Sequence, residues 1–359
     1  MKIMLYIMLA SLIFLTACQS APEYQNDLSL ETHQEVLTTS NGLDNIPERL
    51  DVVLENEKLN LRITADILSF GISNLYEIEI SPMPTNIDAA LNALFSPEEI
   101  KELILMNGQY RLLPDDSSDD ALMAAGLIWE DGSGFFDFSD YRTNTDNAIM
   151  LDKMPSGNHI TLHEAVESGH ELLSKLGLEG AYFYSSSSFH AQSGNGIVYH
   201  SIEFVPIYAG LPIIFDNVDT IQRPSGHMVI GDDGILSING NFLFHQTKIT
   251  EISTPLSFDE ILENVRLQLT NQNPLAPVPV TRINLCYYPS SPDGNNYYMA
   301  TPNSSSSTSS QATNYILRPA WCFYMDTQDS AYTNELKSIG YRAGTICVDA
   351  ITGNIIAWP

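Results

Sequence analysis

Two short motifs recur in the second half of this chain at the same separation, and that recurrence restricts the fold more than any other feature. Phe204-Val205-Pro206-Ile207-Tyr208 is matched in kind by Leu317-Arg318-Pro319-Ala320-Trp321. Downstream, Ile238-Asn239-Gly240-Asn241-Phe242 is matched by Ile351-Thr352-Gly353-Asn354-Ile355. Pro206 and Gly240 lie 34 residues apart, as do Pro319 and Gly353. A helix-capping signature precedes each pair, Thr161 with Glu164 and Ser257 with Glu260. Capping residue and proline are 45 residues apart in the first copy and 62 in the second. The 17 extra residues have a place after Pro289, where the Ser-rich stretch 301–314 (TPNSSSSTSSQATN) falls. The pattern predicts a helix followed by an antiparallel meander, made twice.

Local signals fill in the elements. The helix after Thr161 carries apolar residues at Leu162, Ala165, Val166, Leu172, Leu173 and Leu176, and Gly177 ends it. A third capping box, Ser96 with Glu99, has Pro97 at the first helical position. Strand character marks 61–67, 75–80, 180–188, 197–208, 227–231, 235–245, 280–288, 314–325 and 344–350. Gly231-Asp232-Asp233-Gly234 reads as a turn, and Asn239-Gly240 and Thr352-Gly353 as hairpin turns. Pro206 and Pro319 lack a ladder donor and are expected at an edge or a bulge. Tyr208 and Trp321, two residues on, are read as packing residues on the proline's face. The fold class is therefore α+β: two repeated units at 155–255 and 256–359, preceded by a smaller α+β domain at 46–154.

The amino terminus is an address. Lys2 is followed by an apolar run from Ile3 to Leu15 broken only by Ser11, too short for a permanent span. Leu15-Thr16-Ala17-Cys18 has the form of a lipobox, so 1–17 is read as a signal peptide and Cys18 as the lipid-bearing residue of the mature chain. Several acyl chains on one residue make a stable anchor. Residues 18–45 are polar and aperiodic and read as a flexible tether. The expected location is the cell membrane, lipid-anchored and facing away from the cytoplasm. Losing 1–17, whose one formal charge is Lys2, takes the net charge from −28 to −29. Such a surface repels nucleic acid and anionic headgroups.

Besides Cys18 there are three cysteines, Cys286, Cys322 and Cys347. At most one intramolecular disulfide can join them. No CxxC spacing occurs, and all three lie in apolar, strand-like runs. They are read as small buried hydrophobes, with their disulfide state left open.

Pro319-Ala320-Trp321 and Val348-Asp349-Ala350-Ile351-Thr352-Gly353-Asn354-Ile355 together resemble the ending of PepSY-like domains. They are most similar to the YycH/YycI group of extracytoplasmic regulators in Gram-positive bacteria, as is the helix ending Leu176-Gly177-Leu178. With the lipobox, the chain resembles an uncharacterised family of Clostridia (Firmicutes) lipoproteins. The resemblance covers about 155–359, and 46–150 match only loosely. It implies a protein-binding role: the YycH/YycI proteins restrain an envelope histidine kinase, and PepSY domains inhibit or chaperone secreted enzymes. Those regulators carry a transmembrane helix where this chain has a lipid anchor. No catalytic residues come with the resemblance.

Motifs for chemistry are weak. His159 and His163 are four apart, but Thr161 starts the helix between them, and Glu stands at 167 where HExxH needs His. The acidic run Asp115–Asp120 lacks the Gly and Glu of a calcium loop. Gly132-Ser133-Gly134 is a glycine turn, not a nucleophile elbow, and Ser185–Ser188 near His190 has no acid placed beside it. Gly194-Asn195-Gly196 lacks the lysine of a phosphate loop. No catalytic, metal or cofactor residues are therefore assigned. The expected function is non-enzymatic binding or regulation of another envelope protein. An envelope hydrolase and a small-ligand-binding lipoprotein are the alternatives.

Overall fold

Capping chemistry places the helices where the sequence puts them. In the computed structural model of the chain, Thr161 and Glu164 exchange the reciprocal bonds of a capping box and open a helix over Leu162–Lys175. Ser257 and Glu260 do the same for Phe258–Gln268, and Ser96 and Glu99 for Pro97–Glu102. A further helix, Ile87–Leu94, is capped by Asn86. In chain order these are α1 (Ile87–Leu94), α2 (Pro97–Glu102), α3 (Leu162–Lys175) and α4 (Phe258–Gln268). The α3 helix ends as a Schellman motif: Gly177 takes φ +91°, its N–H donates to Ser174, and that of Leu178 to Leu173.

The structure describes residues 43, 46–56, 59–113, 125–129, 133–141, 149–150, 159–178, 180–192, 198–214, 224–268, 278–290, 314–325 and 345–357. All belong to one compact unit spanning 40–359. It is a mixed α+β protein, mostly sheet with few helices.

An eight-stranded sheet contains β1 (Arg49–Asn56), β2 (Leu59–Leu68), β3 (Leu75–Pro82), β14 (Phe244–Ile252), β15 (Val278–Ser290), β16 (Tyr315–Met325), β17 (Thr345–Asp349) and β18 (Ile355–Ala357). Its main path runs β1-β2-β15-β16-β17-β18, with β3 joining β16 to β14. Among the ladders of the described strands there, only β2–β15 is parallel.

A ten-stranded sheet is built from β4 (Ile104–Met106), β5 (Gln109–Leu112), β6 (Ala125–Trp129), β7 (Phe135–Asp140), β8 (Ile149–Met150), β9 (Ala181–Gln192), β10 (Val198–Tyr208), β11 (Leu211–Pro212), β12 (Ser225–Gly231) and β13 (Gly234–Asn241). Its order is β4-β5-β6-β7-β13-β12-β10-β9-β8, with β11 on β10.

Among the described residues, the strands of 46–154 therefore form no sheet of their own. β1–β3 complete the eight-stranded sheet and β4–β8 the two flanks of the ten-stranded one. Each sheet has its own core. Leu172 and Leu173 of α3 and Leu91 of α1 pack with Phe136, Phe138, Phe204 and Phe242 of the ten-stranded sheet. Phe258, Ile261 and Val265 of α4 pack with Trp321, Phe323 and Leu285 of the other.

Both prolines lie in interior strands rather than at a sheet edge, and the ladder shows why that is tolerated. Pro206 falls between the last β12 partner, at Phe204, and the first β11 partner, at Ile207. Pro319 likewise falls between the β3 pairing, which ends at Leu317, and the β17 pairing, which starts at Ala320. In each case the missing donor costs no ladder bond, and the proline carbonyl accepts from the next segment, Ile213 N–H or Ala350 N–H. Tyr208 and Trp321 are packing residues, as expected: Tyr208 donates its hydroxyl to the Phe244 carbonyl, and Trp321 packs against Phe258.

One expected turn is corrected. Thr352-Gly353 does sit in the β17–β18 connection, with Gly353 at φ +70°. Asn239-Gly240 does not turn the chain, because both residues lie within β13, paired to β12 on one side and β7 on the other. The turn into β13 is the other glycine signal, Gly231-Asp232-Asp233-Gly234.

Candidate functional site

Strand alternation gives the ten-stranded sheet two unlike faces. Ile202, Phe204, Met228, Ile230 and Ile238 face α3 and are buried. The opposite face brings Ser201 and Glu203 of β10 beside His227 of β12. Glu203 is directly across the ladder from His227, and Ser201 Oγ lies 2.6 Å from His227 Nε2. Asn239 of β13 and Asp137 of β7 continue the row, in register with His227 and with each other. Beside it, β9 bulges: Tyr184 is opposite Glu203 and Phe189 opposite Ser201, so 185–188 face a single residue of β10. That is the serine run noted in the sequence, and it lies on the strand across β10 from His227.

A hydroxyl, an imidazole and a carboxylate in this order are the parts of a proton relay. Acyl transfer also needs donors for an oxyanion, and here the backbone works against it. Ser201 lies in an interior strand, paired to Phe189 on one side and Val229 on the other, so its peptide groups belong to the ladders. The cluster is a polar patch that is half-buried except at the exposed Asn239.

Burial holds the His227 pKa below its usual value, and the Glu203 carboxylate pulls it partly back. Burial also lowers that of His170, whose ring packs on Phe183 with centroids 4.6 Å apart. A histidine depressed in the fold is protonated first in the unfolded chain. The unfolded state thus binds more protons below about pH 6.5, and stability falls as pH drops through that range. The urea midpoint is expected to decrease from pH 7 to pH 5, and less steeply in His227→Gln. An unchanged slope in that variant would remove His227 from the account.

The other sequence candidates are dispersed. His159 precedes α3 and its Nδ1 meets Asp232 at 2.8 Å, whereas His163 pairs with Glu167 along the helix. Burial works against the Asp232 carboxylate, but hydrogen bonds from His159 and from Ile160 N–H outweigh it and hold its pKa low. Among the described residues no group of three or more His, Cys, Asp or Glu is arranged to hold a metal ion. Ser133 Oγ accepts from Phe135 N–H and Gly134 takes φ +80°, the local geometry of a turn. Cys18, the signal peptide 1–17, the tether apart from Leu43, the acidic run 115–120, Gly194–Gly196 and the Ser-rich stretch up to 313 lie outside the described residues. Among the described residues no helix is long and apolar enough to cross a membrane.

The three remaining cysteines converge on adjacent strands of the eight-stranded sheet. Cys322 Sγ lies 3.2 Å from Cys286 and 3.0 Å from Cys347, and all three are fully buried.

Comparison with known proteins bears on the fold. A crystal structure of an uncharacterized protein from Eubacterium rectale superposes with a TM-score of 0.52 at 13% identity, covering 87% of this chain and 94% of that one. The C-terminal domain of YpeB from Bacillus megaterium aligns with a TM-score of 0.32 at 13% identity, over 77% of this chain and 97% of that one. No family model and no curated protein sequence matches the chain. The likeness to the Eubacterium protein is one of fold alone.

Proposed function

We propose that this is a lipoprotein, tethered through Cys18 outside the cytoplasm, that binds and regulates another cell-envelope protein without catalysing a reaction. Its carboxy-terminal half is read as two PepSY-like units, α3 with β9-β10-β12-β13 and α4 with β15-β16-β17-β18. The shared place of Pro206 and Pro319, each in the second long strand between two successive neighbours, supports that reading.

The observation that carries the binding role is the β14 edge. Residues 245–251 are all exposed, and among the described residues β14 is paired only to β3. A bulge between Gln246 and Lys248, with Lys248 itself, guards the first part of the edge against self-association. From Lys248 to Ile252 the register is regular, and Ile249 is 45% exposed. Such an edge can accept a strand from a partner.

A photo-crosslinking residue at Thr250 of the native lipoprotein, in living cells, tests this. One distinct envelope-protein adduct is expected, absent when the probe sits at Glu102 of α2. Replacing Cys18 with Ala should release the protein from the membrane and abolish the adduct. The hydrolase alternative draws on Ser201, His227 and Glu203. It prevails if Thr250 yields only bulk wall and lipid adducts while a fluorophosphonate labels Ser201.

A further inference from the structure

We propose that Cys322 and Cys347 form a disulfide by exchange with a protein disulfide oxidant, and that Cys286 remains a thiol. Three cysteines with two sulfur contacts offer two possible bonds, and the sheet register chooses between them. Cys322 of β16 is directly opposite Cys347 of β17. Opposed residues of an antiparallel pair have Cα atoms about 4.5 or 5.5 Å apart. Both spacings fall inside the roughly 4.4–6.8 Å that a disulfide spans. Cys286 is opposite Ala320 instead, so it meets Cys322 on the diagonal. Diagonal neighbours are about 7–8 Å apart, beyond what a disulfide bridges without moving the backbone.

The three side chains share one face of the sheet with Asn284, Tyr324 and Thr345, the face opposite Trp321. In that burial Cys286 is the spare thiol, on the diagonal from Cys322.

The chemistry is two successive exchanges. One thiol of the pair loses its proton and displaces a sulfur of the oxidant, giving a mixed disulfide. The second thiolate then attacks the first cysteine's sulfur and displaces the oxidant's other sulfur. Two thiols have become one S–S bond, and the oxidant's disulfide, reduced by two electrons, leaves as two thiols carrying the two protons.

Burial, the largest influence on both groups, pushes the Cys322 and Cys347 thiols up. Thiolate is therefore scarce in the finished fold, and exchange belongs to folding, before β17 has docked on β16. Once made, the bond is shielded from external thiols by the same burial. The two cysteines are 25 residues apart in sequence, so the bond ties β17 and the strand beyond it to the centre of the sheet.

The pairing rests on geometry alone, whereas its formation in cells rests on the extracytoplasmic reading, since such bonds persist in oxidising compartments. The full chain, reduced and unfolded, is refolded in a glutathione redox buffer, then alkylated in denaturant, digested and analysed by mass spectrometry. A Cys322–Cys347 linked peptide with alkylated Cys286 is expected, and Cys286→Ala should give the same link. Reduction should lower Tm by roughly 5–10 °C, and Cys347→Ala should abolish that difference. A Cys286–Cys322 link, or alkylation of all of Cys286, Cys322 and Cys347, overturns the proposal. The lipoprotein isolated from cells is mapped in parallel. If the refolded chain forms the bond and the cellular protein carries three thiols, the pairing stands and the extracytoplasmic reading falls.

Discussion

Trp321→Ala is expected to destabilise the protein by about 3–5 kcal/mol, the cost of emptying a fully packed aromatic site. Trp321 has no exposed surface and sits on β16 between Leu285 of β15 and Val348 of β17. Above it the Phe258 ring of α4 lies with its centroid 4.8 Å away, at 59°. Its truncation opens a cavity under α4 that three strands and a helix would have to close together.

The conservative variant separates packing from polarity. The indole Nε1 is buried, with no hydrogen-bond partner among the described residues. Leaving such a donor unsatisfied costs about 1–3 kcal/mol. Trp321→Phe keeps most of the ring and removes that donor, so its net cost should stay below about 1.5 kcal/mol. Urea unfolding of both variants provides the measurement. Equal losses would mean that the ring's fit against Phe258 is not what holds α4 to the sheet.

The residues that were legible in the sequence act on their own neighbours. Thr161, Ser257 and Ser96 each bond a residue three positions on, so their capping boxes could be read from spacing. Gly177 ends α3 through its own bond to Ser174 and that of Leu178 to Leu173, again close in sequence. Asn239-Gly240 shows where such reading stops. Asn-Gly between apolar residues is a strong hairpin signal. What overrides it is pairing to Phe136, more than a hundred positions away, and to Gly226. The assignment of 46–154 to a domain of its own meets the same obstacle. The parallel β2–β15 ladder joins Leu61 to Val278, and nothing local to either strand announces the other.

The candidate site was half visible for a similar reason. Ser-x-Glu in β10 puts Ser201 and Glu203 on one face by alternation, which the sequence alone supports. His227 arrives from β12 by register, and the bulge at 185–188 by a slip in the β9 ladder. Neither a register nor a slip is written in residue spacing. The three cysteines follow the same rule. Their burial could be expected from the apolar runs that carry them, but the choice of partner for Cys322 needed the alignment of β15 and β17 on β16.

The glycine that was misread as a turn is the site of the second large effect. Gly240 takes φ +146° inside β13, and a Cβ there would meet the Ser225 carbonyl and the Gly226 Cα, both backbone atoms. Gly226, its partner across the ladder, has no spare room either, since a Cβ on it would run into the rings of Phe204 and Phe242. Those two rings pack edge to face with centroids 4.9 Å apart and fill the space that two missing side chains leave. Gly240→Ala therefore combines a backbone conformation that costs about 1–3 kcal/mol for an L-residue with an overpacking cost of about 1–3 kcal/mol. A total near 3–5 kcal/mol is expected, read as a drop in the urea midpoint with little change in slope. Gly234→Ala supplies the control, because that glycine has φ +107° but open space around it. It should lose only the conformational part, about 1–3 kcal/mol. If the two variants were equally destabilised, the close approach of β12 and β13 at Gly226 and Gly240 would carry no energy, and backbone conformation alone would explain both.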